Sequence, residues 1–169
     1  MTTTTQRKPG MATAWLFGLW LAFAALLPHP AAAQSATQGL TEADKQQIKD
    51  YKLNEDVFGR LMAATKEART QGIRSQATPD PTKVHNLDDL AAQAMSGDAR
   101  IAPLIKKYGF SPREFMLANI ALMNAAIVVQ SRSDPAVAKA IDQSKVNMAN
   151  VTFYESHQAK IAALMGGGQ

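Results

Sequence analysis

The chain has 169 residues, no cysteine, 46% hydrophobic content and 18 basic against 14 acidic residues. The missing cysteine excludes a disulfide framework, a C-x-x-C redox or haem-attachment motif and a thiolate zinc site. The formal charge of +4 is thinly spread, and no Lys/Arg run is dense enough to argue for nucleic acid.

Residues 1–33 have the layout of a cleavable signal peptide. Arg7 and Lys8 make a positive start, Met11 to Leu27 an apolar run, and Pro28 to Ala33 a breaker followed by small residues. Ala31 and Ala33 supply the A-x-A pattern, so cleavage is expected after Ala33 and the mature chain begins at Gln34. The Arg-Lys pair is not a twin-arginine signal, which points to general secretion into the periplasm or beyond. An uncleaved anchor is the alternative, disfavoured by the short run and its two closing prolines. Removing 33 residues from 169 leaves 136, enough for one domain with a real core. The leader takes two of the 18 basic residues with it, so the mature chain carries a net charge of only +2.

Residues 34–40 read as a small, polar, flexible tail. Thr41 with Asp44 opens a helix, and Leu53, Val57, Leu61, Ala64 and Ala68 carry helical spacing to its end. Asn54 offers a restart, so this element is either bent or split there. Residues 72–86 lack periodicity and hold two prolines, which makes them a long loop, expected to be flexible. Asn86, Asp88 and Asp89 cap a short helix through Leu87, Leu90, Ala91 and Ala94. Pro103 forces a kink or a fresh start, leaving a helix expected over Leu104 to Tyr108 and stopped by Gly109.

The stretch from Gly109 to Gln130 organises the rest. Ser111, Pro112 and Glu114 occupy the N-cap, N1 and N3 positions of a capping box, with Phe110 and Phe115 placed to close a hydrophobic staple. No charge follows until after Val129, and apolar residues fall on nearly every face. Such a helix is central in a bundle or lies in a membrane. Two asparagines and a short uninterrupted run favour the bundle. Ser133, Asp134 and Pro135 mark another start, leading into a short amphipathic stretch through Ile141. In the last helix Asn150, Phe153, His157, Ile161 and Leu164 share a face, and Gly166 to Gly168 end it. The expectation is an all-α small helical bundle, one domain over residues 41–165, built around a central apolar helix at about 111–131.

Candidate site residues are few. His157 is one of two histidines outside the leader, and Asn119 and Asn124 interrupt the apolar helix. A buried amide costs on the order of 1 to 3 kcal/mol unless paired, so each is expected either to reach another helix or to line a small pocket. One possibility is that Asn119 or Asn124 meets His157 across the core. Asn119, Asn124, Asn150 and His157 therefore form the weak candidate ligand-binding set. A metal- or cofactor-binding alternative would use His157 with Met116 and Met123, since thioethers suit Cu(I). Scattered methionines more often fill irregular core space, and no cofactor is expected. Seven residues separate Asn150 from His157, about 10 Å along a helix, so they cannot share a metal ion. No G-x-S-x-G, H-E-x-x-H or P-loop pattern is present, and no catalytic residue is assigned.

Three motifs, Gly109 with Ser111 to Phe115, Ala121 to Ala125, and Asn150-x-x-Phe153-x-x-x-His157, resemble those of a group of uncharacterised exported bacterial all-helical proteins. Those proteins pair an aspartate-rich first segment with a G-x-S-P-R-E-[FY] central helix and an N-x-x-F-x-x-x-H ending. The resemblance covers roughly Leu87 to Met165 and implies export and a helical fold, with no assigned activity. The resulting functional expectation is a non-enzymatic exported protein that binds a protein or small ligand, or serves the envelope.

Overall fold

A computed structural model describes residues 39–74, 79–133, 138–139 and 141–166. The leader, the tail up to residue 38 and the helix start expected at Asp134 and Pro135 lie outside them. Six α-helices are described: α1 (Glu42–Asp50), α2 (Glu55–Thr70), α3 (Leu87–Ser96), α4 (Ile101–Lys107), α5 (Pro112–Ser131) and α6 (Met148–Gly166). Short 3₁₀ turns stand at Pro81–Lys83 and Gln143–Lys145, and there is no strand among the described residues.

Caps place most of the boundaries. Thr41, Asn54, Asn86 and Ser111 each accept from a backbone N–H in the first turn of the helix that follows, so α1, α2, α3 and α5 all start on a side-chain oxygen. Asn54 does split the first long helical pattern, with Tyr51 and Asn54 both in extended backbone. Helix α4 starts three residues earlier than expected, at Ile101. Pro103 falls in its first turn, where the N–H it lacks has no intrahelical partner to lose.

Gly109 ends α4 at φ +75°, with its own N–H on the Lys106 carbonyl and the Phe110 N–H on the Ile105 carbonyl. That left-handed stop lets the chain turn within three residues into α5. Phe110 and Phe115 close the staple edge to face, ring centres 5.7 Å apart. Only half of the capping box forms. Ser111 Oγ accepts from the Glu114 N–H, but the Glu114 carboxylate accepts from Arg60 of α2.

Helix α5 packs against each of the other five helices. It buries nine residues, among them Phe115, Leu117, Ala118, Leu122 and Val128. With a mean hydropathy of 1.3 it is long and apolar enough to cross a membrane, yet half of that stretch is buried inside the fold. Its cover is uneven, because Met116, Asn119, Met123 and Ile127 are only half-buried.

The described ends of the expected loop at 72–86 are packed: Ile73 and Val84 are 2% and 3% exposed, and Ile73 donates its N–H to the Ala68 carbonyl. The tail ends sooner than residue 40, since Leu40 is buried with Val84 and Leu87. Gly39 sits at φ +96°, and a Cβ there would come within 2.1 Å of the Val84 carbonyl oxygen, so only glycine fits.

Candidate functional site

Polar side chains gather at two places on the bundle. At the first, Arg113 in the opening turn of α5 holds three elements together. Its guanidinium donates to Asp44 Oδ1 at 2.6 Å and Gln47 Oε1 at 2.6 Å on α1, and to Asp88 Oδ2 at 2.8 Å on α3. Asp44 is 4% exposed and also accepts from the Thr41 hydroxyl and the Leu87 N–H. Burial by itself pushes this carboxyl up. The Thr41, Arg113 and Leu87 donors outweigh it and hold the carboxyl below the ordinary aspartate value of 3.8.

Beside this hub, Arg60 of α2 lies 4.3 Å over the Phe110 ring. It donates to Glu114, to Asp56 and to the Tyr108 and Gly109 carbonyls where α4 ends. The Tyr51 hydroxyl is buried and has no hydrogen-bond partner among the described residues. Burial, then the negative charge of Glu114, push it above the ordinary tyrosine value, with Arg60 opposing.

At the second place α6 meets the break between α1 and α2. Asn150, 2% exposed, accepts from the Leu53 N–H at 2.9 Å and donates to the Tyr51 carbonyl at 2.8 Å. Its amide thus supplies the hydrogen bonds that the extended elbow forgoes. Two turns on, His157 is 7% exposed, stacked on Phe153 with ring centres 4.1 Å apart and set edge-on to Phe58 at 4.8 Å. Its Nε2 lies 2.7 Å from Glu55 Oε1. Its Nδ1 lies 2.8 Å from the Phe153 carbonyl and 2.9 Å from Ser156 Oγ.

This geometry brings Asn150 and His157 to the same edge of the bundle and leaves Asn119 and Asn124 elsewhere. Asn119 donates to the Phe115 carbonyl of its own helix at 2.7 Å. Asn124 is half-buried and makes no side-chain hydrogen bond among the described residues. Neither meets His157, whose polar partners are Glu55, Ser156 and Phe153, so the contact expected across the core does not form. Asn119 and Asn124 are both half-buried and stand about 140° apart around α5, whereas α6 packs where Ala125 and Val128 meet Val151.

The metal set is not assembled either. Met116 packs with Leu40, Val84 and Leu87, whereas His157 lies between Phe58 and Phe153 in the other cluster. Both imidazole nitrogens already face hydrogen-bond partners, and no group of three or more His, Cys, Asp or Glu among the described residues could hold a metal ion. Two shallow open depressions of about 460 and 510 Å³ adjoin one another at Ala102, Ser111 and Pro112, and none of the four candidate ligand-binding residues lines them.

By sequence Arg113 reads as a helix-start charge and Arg60 and Asp44 as part of a solvated face, whereas Arg60 packs over Phe110 and pairs with Glu114 and Asp44 is buried; Glu55 is not singled out. A usable signal existed for Arg113: an arginine directly after the N1 proline of α5, in a chain where α1, α2 and α3 carry aspartates in their first turns. Glu55 carries no such signal, because an acidic residue at a helix start is explained by the macrodipole alone. Comparisons with family models, curated proteins and solved structures find no match to this chain.

Proposed function

We propose that this is an exported, non-enzymatic protein that acts by binding a partner through its surface or by serving the cell envelope. One observation carries the reading: three polar side chains of its motifs, Arg113, Asn150 and His157, spend their hydrogen-bonding capacity inside the fold. Arg113 is taken up by Asp44, Asp88 and Gln47, Asn150 by the α1–α2 elbow, and His157 by Glu55 and its own helix. A group committed to its own fold is a poor nucleophile, base or ligand. The layout of residues 1–33 supports export, and membership in the exported helical group with the G-x-S-P-R-E-[FY] helix belongs to the same proposal.

Two measurements test it. N-terminal sequencing of the chain from a periplasmic or secreted fraction should begin at Gln34, and a cytoplasmic chain that begins at Met1 overturns export. Equilibrium dialysis of the mature chain against copper, zinc and haem should show no stoichiometric uptake. Uptake that His157→Ala abolishes would overturn this reading in favour of metal or cofactor binding at His157.

A further inference from the structure

We propose that α6 is a releasable strap, undocking as a unit from the trough between α2 and α5 while the other five helices stay folded. The proposal is independent of what the protein binds. Only Asn150, Val151 and His157 of α6 are fully buried among its described side chains, and two of these three are polar. By contrast α5 buries nine residues and α2 six. Half-buried Phe153, Tyr154 and Ile161 add to the contact, but Val151 is the one apolar side chain of α6 wholly removed from water. On α6's own side the solvent-exclusion term is therefore small, and most of the apolar area at this seam belongs to α2 and α5.

Polar fastenings take its place. Asn150 holds the N-terminal turn to the elbow, Glu55 holds His157 at the middle, Arg132 reaches Glu155, and Arg69 reaches the Leu164 carbonyl. Each of these has a near-equivalent in water, so opening the strap exchanges one set of hydrogen bonds for another. Beneath α6 lie apolar residues of two clusters, Phe58 on α2 with Ala118 on α5, and Ala125 with Val128 on α5. Elements that open below the global unfolding free energy are those with few buried apolar contacts, and α6 has the smallest share of fully buried apolar side chains for its length among the six described helices.

Native-state amide hydrogen exchange on the mature chain tests this. Amides in the middle of α6 should exchange at least about tenfold faster than those in the middle of α5. Asn150→Ala should speed the α6 amides by about a further tenfold and preserve the gap to α5, because every opening that frees α5 also frees α6. Glu55→Gln, on an exposed position, carries the same expectation in direction should N150A fail to fold. Equal protection of α5 and α6 in the wild-type chain overturns the proposal, as does exchange of the α6 amides with the same urea dependence as those of α5.

Discussion

The Arg113 hub and the α6 seam fasten the same bundle by different physics. At the hub, charged groups converge from α1, α3 and α5 beside an apolar cluster formed by Leu40, Ile48, Val84, Leu87, Leu90, Leu117 and Ile120. At the seam, a neutral amide and an imidazole meet backbone groups and one exposed glutamate, and fully buried apolar surface is scarce. A buried charge such as Asp44 is costly to strand, so the hub is hard to open one piece at a time. An amide that loses its partner to water loses far less once the seam has opened, which makes that side the easier one to release.

The largest expected effect is at the hub. Arg113→Ala strands Asp44 and should cost about 2–3 kcal/mol in urea unfolding, below the range for a fully enclosed pair because the Arg113 side chain is 32% exposed. Asn150→Ala should cost about 1–2 kcal/mol by the same measurement, having left the Leu53 N–H and Tyr51 carbonyl unpaired. A larger loss for N150A than for R113A would reverse the contrast between the two regions.

Acid sharpens the comparison. Asp44 is held below its ordinary value of 3.8, so its contribution to stability is fully present above that pH and is lost as pH falls below it through the folded-state value. Stability of the wild-type chain should therefore drop on acidification below about pH 4 more steeply than that of Asp44→Asn. Parallel curves for the two proteins would show that the hub does not depend on this charge.

Smaller effects come from the turn and the orphan hydroxyl. Gly109→Ala forces a side chain into left-handed backbone and should cost about 1 kcal/mol in the same assay, with Arg60 near enough to feel the new Cβ at 3.6 Å. Tyr51→Phe removes a buried hydroxyl that has no partner among the described residues and should leave stability unchanged or raise it by up to about 1 kcal/mol. A clear loss in Tyr51→Phe would mean that a bound water satisfies this hydroxyl.

Much of the architecture is a local matter, and local matters are legible in a chain. Ser111, Pro112 and Gly109 announce where α5 starts and α4 stops because capping and left-handed turns need only residues within one helical turn. The central place of α5 follows from its missing charges, since no other helix could leave such a surface in water. The half-formed capping box shows where that reach ends: Glu114 has a local partner within range, yet Arg60, 54 residues away, takes it.

The long-range partners were decided by tertiary structure alone. Asn150 stands on an apolar-looking face of α6, and nothing in its own helix says that it completes the backbone of Leu53, 97 residues earlier. His157 looks equally fit for a metal, a ligand or a structural bond until packing sets Phe58 and Phe153 against its ring and Glu55 on its Nε2. Side-chain periodicity determines which face of a helix is apolar, but the rotation of one helix against another depends on how all six pack at once. The packing left Asn119 and Asn124 half-buried on α5 and enclosed Asn150 and His157 of α6.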